Sequence, residues 1–241
     1  GFLPGITTPG GVTHQAIDDI AVMRAIPNMT ILETGDATEV ESVLDVAHAI
    51  DGPVYIRMLR GEVPRLFPQD EPFTFNRARA LSLAGNTIHD PADLVVLTSG
   101  ILTEEALRAV PALQSAGVSV THLHVSTLKP FTDPTIIHAL QAATGAIVTM
   151  ENHLITGGLG SAVAETMAEA GISTPLHRIG LPDTYAHGAS QAHLLAEYNL
   201  DAFSLVRTAE IALDRELAID AVDLAPVRVA ATHSSAKVEA L

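Results

Sequence analysis

Apolar residues along the chain recur at two spacings, three-to-four and two, and the way these alternate predicts the fold. Ala16, Ile17, Ile20, Ala21 and Met23 fall on one helical face, so a helix is expected from about His14 to Ala25. Pro27 and Asn28 stop it, and Met29 to Leu32 reads as a short buried strand. Asp36, followed three residues later by Glu39, has the form of a capping box. It opens a helix on which Val40, Val43, Leu44, Ala47 and Ile50 share a face. Asp51-Gly52-Pro53 ends that helix, and residues 53–59 form the next strand. Two strands cannot build a parallel sheet covered on both faces. The expectation is that further strands precede residue 1, with a second chain as the other source.

From Gly61 to His89 the periodicity fades among Pro64, Pro68 and Pro72, which reads as a linker over residues 66–91. A complete alternation follows. Leu94 to Leu97 is a strand, Thr103 is expected to cap a helix with Glu104 and Glu105 in its first turn, and Gly117 ends it. Val118 to Val125 is a strand, and Asp133-Pro134 starts a helix to about Ala143. Ala146 to Met150 is a strand, Ser161 to Ala170 a helix, Leu176 to Ile179 a strand, and helices fill Gln191 to Leu217. Strands alternating with helices predict an α/β fold with a mostly parallel sheet. The tail from about Asp220 has no pattern, and no internal repeat is present.

Composition narrows the function. The 241 residues suit one large domain or two small ones, and 47% apolar with 17% charged positions support a full core. A formal charge of −15 without a basic stripe argues against nucleic-acid binding. Without cysteine there is no disulfide, thiolate metal site or thiol nucleophile. No apolar run approaches the roughly 20 residues of a membrane span, so a cytoplasmic protein with no membrane contact is expected.

Several local features carry candidate chemistry. Gly10-Gly11-Val12-Thr13-His14 lets backbone approach a ligand and places a histidine at a loop-to-helix junction, where a histidine standing alone is more often a cap or core residue. Arg57 and Arg60 lie at the end of a strand, where open sheets gather ligands, but a surface salt bridge is the plain alternative. Residues 151–161 imitate a dinucleotide loop without its spaced glycines, and read better as a tight turn that lets a helix pack closely. His122 and His124 point the same way on a strand with no third ligand at metal spacing, and no residue is assigned as a metal ligand.

Gly11 to Met29, taken with Gly35-Asp36-Ala37-Thr38-Glu39, residues 52–61, Met150-Glu151-Asn152-His153, residues 157–161 and residues 179–183, resembles the transketolase family. The resemblance covers roughly residues 9–215 and is nearest to the C-terminal section of two-chain bacterial transketolases. It implies the second half of a pyrimidine-binding domain at 1–65, a linker at 66–91, a transketolase C-terminal domain at 92–217 and a tail at 218–241. It further implies an enzyme that uses thiamine diphosphate and Mg²⁺ to move a two-carbon ketol unit between sugar phosphates. The ligands of that cofactor and metal would lie outside this chain, in an N-terminal section that joins it as a homodimer or heterotetramer. Two roles carry over by position. His14 matches the histidine that binds donor hydroxyls beside the reacting carbon, as a catalytic and substrate-binding residue, and Arg60 matches the arginine that grips the substrate phosphate. Gly10 departs from the family, which usually has an acidic residue there. A 1-deoxyxylulose-5-phosphate synthase part is the alternative enzyme. A 2-oxo acid dehydrogenase β subunit is disfavoured because it has no reason to keep Arg60, and a non-catalytic interaction module is the alternative from another class.

Overall fold

The computed structural model describes residues 3–7, 10–59 and 63–224. The N-terminal lobe runs β1 (Leu3–Pro4), a 3-10 turn (Gly11–His14), β2 (Gln15–Ala16), α1 (Asp19–Arg24), β3 (Thr30–Glu33), α2 (Ala37–His48) and β4 (Val54–Arg57). The chain continues through β5 (Arg79–Ser82), β6 (Ala92–Thr98), α3 (Leu102–Ser115), β7 (Val120–His124), β8 (Thr127–Lys129), α4 (Pro134–Ala142) and β9 (Ala143–Leu154). It closes with α5 (Leu159–Ala170), β10 (Leu176–Leu181), α6 (Gln191–Glu197), α7 (Ala202–Leu213) and a 3-10 turn (Ala221–Asp223).

The larger sheet has the order β10-β9-β6-β7-β5, parallel throughout except for β5 at its edge. Its central strand shows why the apolar run was needed. Successive side chains of a strand point to opposite faces. Leu94 and Val96 accordingly pack with Ala106, Leu113, Leu205 and Ala209 of α3 and α7. Val95 and Leu97 pack with Ile136 and Leu140 of α4 and with Leu159 and Val163 of α5. Both faces are dry, so the strand is apolar at every position rather than at alternate ones. Among the described residues no helix is long and apolar enough to cross a membrane.

The second sheet has the order β4-β3-β8, with β3 and β4 parallel and β8 antiparallel to β3. Its third strand therefore comes from this same chain, a source the sequence pattern did not predict. Leu32 of β3 and Val43 of α2 close a small core under Phe73.

Three expectations about elements need correction. The helix expected from His14 begins at Asp19, because Ala16 turns outward in β2: its carbonyl accepts from Gly5 N–H at 2.7 Å and from Arg57 Nη2 at 2.8 Å. Thr103 is not the cap of α3, which starts after Ile101; its buried hydroxyl is taken by Thr98 and His124. The stretch 66–91 is not bare linker. It carries β5 and is strapped to α2, with Asp36 accepting from Leu66 N–H at 3.0 Å and Phe67 N–H at 2.8 Å, and Ser42 Oγ accepting from Phe73 N–H at 2.9 Å. Of the tail, Ala221–Asp223 forms its short turn, and residues 225–241 lie outside the described residues.

Candidate functional site

The turn Gly11–His14 is tight because of its neighbour. Gly11 has φ +69°, a conformation that suits glycine, and a Cβ there would come within 3.1 Å of Gly188 N. The turn presents Val12, Thr13 and His14 to solvent. Thr13 Oγ1 donates to the Gly10 carbonyl at 3.2 Å and lies 2.8 Å from His14 Nδ1. Thr13 thereby ties the His14 ring to the backbone of the turn.

Behind the turn lies a buried ionic junction between the two lobes. Arg57, only 3% exposed, donates from Nε to Asp19 Oδ2 at 2.9 Å, from Nη1 to Glu33, and from Nη2 to the carbonyls of Ala16 and Asn152 at 2.8 and 3.0 Å. Tyr55 adds its hydroxyl to Asp19 at 2.7 Å. Burial works against the charge on Asp19, yet Arg57 and Tyr55 hold its carboxyl below the usual range. Burial also opposes the charge on Arg57, which Glu33 and Asp19 more than restore. Arg57 is thus structural, a staple between β4, α1 and β9, not a ligand-binding arginine.

On the sheet side of the junction, Glu151 accepts from Leu159 N–H at 2.7 Å and Gly160 N–H at 2.9 Å, at the start of α5. A Cβ on Gly158 would stand 1.8 Å from its Oε2, so the glycine exists to admit this carboxyl. The protein's own carboxyl occupies the helix start, and the reading of 151–161 as a turn for close packing holds. Burial pushes Glu151 up to about 7, with the two amides pulling the other way.

A polar chain crosses from the small sheet to the large one. Glu39 Oε2 accepts from Gly35 N–H at 2.8 Å and from His124 Nε2–H at 3.0 Å. His124 Nδ1 then accepts from Thr103 at 2.7 Å, Thr103 from Thr98 at 2.9 Å, and Thr98 from His122 Nε2–H at 2.9 Å. One direction of donation satisfies every link. It ends on His122 Nδ1, which is buried without a partner. Burial, followed by the neighbouring His124, lowers His122 to about 3, so the ring stays neutral. His122 and His124 are internal connectors, as their lack of a third ligand implied.

Of the two site residues expected from the sequence, His14 stands exposed on the turn, and Arg60 lies outside the described residues. A cavity of about 150 Å³ opens beside Leu59 and Val63, and is completed by Thr7, Gly35, Pro64 and Ile101 among others. The ionic junction was missed. Asp19, Glu33, Arg57 and Asn152 sit 14 to 133 residues apart, at no motif spacing, and nothing in the sequence joined them.

Comparison with known proteins divides the chain in the same way. Residues 3–65 match the model of the transketolase pyrimidine-binding domain, and residues 84–205 that of the transketolase C-terminal domain. The chain is 36% identical over 205 residues to a transketolase family protein of Sinorhizobium fredii, covering 85% of this chain and 58% of that one. It is 36% identical over 214 residues to a 6-deoxy-6-sulfo-D-fructose transketolase subunit of Clostridium sp., covering 88% and 64%. A protein of Methanocaldococcus jannaschii named as a transketolase C-terminal section is 35% identical over 204 residues, covering 84% and 62%. A solved structure described as a split gene transketolase, inactive β4 tetramer, matches with a TM-score of 0.74 at 32% identity, covering 89% of this chain and 65% of that one. The chain spans about three fifths of the length of these curated relatives.

Proposed function

The chain belongs to the transketolase family, and from that premise we propose that it is the C-terminal section of a split transketolase, moving a two-carbon ketol unit between sugar phosphates together with an N-terminal section. The carrying observation is the exposed Gly11–His14 turn on the pyrimidine-binding part, with the C-terminal domain following it in family order. Family members depend on thiamine diphosphate, which supplies the carbanion chemistry when bound. Four acids of the N-terminal lobe each give a carboxylate oxygen to a partner within this chain. Asp19 and Glu33 are engaged by Arg57, Asp36 by backbone amides, and Glu39 by His124 and Gly35. The proposal therefore assigns the diphosphate and Mg²⁺ to the N-terminal section, and to this chain the donor sugar.

In that role His14, tied to Thr13 at Nδ1, hydrogen-bonds a donor hydroxyl through Nε2, and Arg60 holds the terminal anion of the sugar. Remote binding of that anion positions the reacting end. The Clostridium relative is named for a sulfonated sugar, and a sulfonate, like a phosphate, is a terminal oxyanion that a guanidinium grips with paired donors. Gly10 tunes the same site, since a Cβ there would lie 3.2 Å from the His14 side chain and an acid would press on its ring.

The test is Arg60→Ala in the natural polypeptide assembled with its N-terminal section. Losing a charge-assisted hydrogen bond costs about 1.5–3 kcal/mol, so KM should rise about tenfold to a hundredfold for phosphorylated sugars and little for unphosphorylated ones. Equal losses for both would refute the assignment. A second reading rests on relatives named 1-deoxy-D-xylulose-5-phosphate synthase, 32–36% identical, of which this chain covers only 28–30%. Formation of 1-deoxyxylulose 5-phosphate by the assembled protein would favour it.

A further inference from the structure

One cluster of ligating side chains lies outside everything described so far. His187 precedes α6, while His193 and Glu197 stand one turn apart on it. The Nε2 atoms of His187 and His193 lie 3.3 and 3.4 Å from the same carboxylate oxygen, Oε2 of Glu197. Both distances exceed the roughly 2.7–3.2 Å of an ordinary N–H···O bond, so a doubly accepting carboxylate explains them poorly. They agree instead with a tetrahedral ion. Bonds of about 2.0–2.1 Å from imidazole and carboxylate to Zn²⁺ place neighbouring ligand atoms about 3.4 Å apart. The three ligand atoms all lie within 4.8 Å of one another. The two rings meet edge to face at 68° with centroids 6.3 Å apart, so their faces do not stack. All three residues are at least 40% exposed, which leaves room for water in the fourth position.

We propose that His187, His193 and Glu197 form a binding site for a divalent transition metal of the Zn²⁺ class, and that the ion fixes the turn carrying His14. Two imidazoles and one carboxylate select such ions over Mg²⁺ or Ca²⁺, which prefer oxygen ligands throughout. The link to the turn is short. His187 O lies 3.5 Å from Gln15 Nε2, and the next residue, Gly188, abuts Gly11. An ion that joins His187 to α6 removes freedom from the segment on which the Gly11–His14 turn rests.

The test is calorimetric titration of the full 241-residue chain, free of any added histidine tag, with ZnCl₂, alongside amide NMR of Gly11 to His14. One Zn²⁺ per chain should bind in the low micromolar range. Losing one of three ligands should weaken it at least about tenfold in His193→Ala and in Glu197→Gln. His89→Ala should change nothing, although His89 forms a second histidine pair with His138. Zn²⁺ should shift the Gly11–His14 signals in the parent chain and not in His193→Ala. Equal affinity in the parent, His193→Ala and Glu197→Gln would overturn the site. Binding at the site with unmoved Gly11–His14 signals would overturn its link to the turn.

Discussion

The two lobes of this chain reach order by opposite means. The larger sheet is ordered by apolar area, with β6–β7 and β9–β10 each joined through one helix and a core on both faces, to which the N-terminal lobe adds Ile6, Ile17, Ile20 and Ile31. The N-terminal lobe owns two of the three strands in its sheet, a small core of Leu32 and Val43 closed by Phe73 of the following segment, and a set of buried charges. It is completed by β8 on one side and by the Arg57 staple on the other. Polar contacts do most to order the small sheet, whereas apolar area orders the larger one.

The comparison breaks most visibly at Arg57. Arg57→Met leaves Asp19 and Glu33 facing each other in the interior, and removing one partner of a buried pair costs about 3–5 kcal/mol. Hydrogen exchange should show α1, β3 and β4 opening first while β6 and β9 stay protected. Adding Asp19→Asn and Glu33→Gln to Arg57→Met should recover stability. Uniform loss over both lobes would show that they are one cooperative unit.

The mirror experiment is Leu97→Ala, which empties a fully buried position in the larger sheet and should cost about 2–5 kcal/mol. Urea unfolding should register it as a lower midpoint, with β6 and β9 losing protection.

The junction also sets a pH window. Glu151 is raised from 4.5 to about 7 in the folded chain, so the stability it confers is full below about pH 4.5 and is lost as pH rises through about 7. His122 acts in the other direction. Lowered from 6.5 to about 3, it confers stability that is full above about pH 6.5 and is lost as pH falls towards 3. Glu151→Gln should remove the alkaline loss, at most about 3 kcal/mol, and leave the acid loss in place. Thermal unfolding from pH 4 to 8 decides this, and an unchanged profile in the variant would contradict the account.

The smallest effect is expected at His14. It is exposed and on a turn held by its backbone, so His14→Ala should move stability by less than about 0.5 kcal/mol. A large loss in urea unfolding would show that the residue serves the fold and not the sugar.

What the sequence revealed follows the same division. The strands of the larger sheet were legible because dry faces demand unbroken apolar runs, and α4 because Asp133 and Pro134 are local signals; Asp133 does accept from Thr135 N–H at 2.9 Å. β8 was not legible. It is three residues long and its partner, β3, lies about a hundred positions away. The start of α1 was misplaced because Ala16 and Ile17 fit a helical face as well as the extended segment they form. Arg57 and Arg60 looked alike in sequence, and only the fold shows that Arg57 is enclosed by Asp19 and Glu33. His14 was singled out through its place in Gly11-Val12-Thr13-His14, since a histidine standing alone at such a junction is more often a cap or core residue.

The central claim is that this chain supplies the sugar-binding turn of a split transketolase. The direct measurement is ketol transfer from a ketose phosphate to an aldose phosphate, in the presence of thiamine diphosphate and Mg²⁺, by the natural polypeptide carrying these residues. It is assayed alone, with the N-terminal section, and with that section after His14→Ala. The account predicts no transfer alone, transfer with the section, and a fall of about a hundredfold or more in kcat/KM for the His14 variant, the lower end of what a positioned acid or base contributes. Full activity in the His14 variant, or none from the assembled pair, would contradict it.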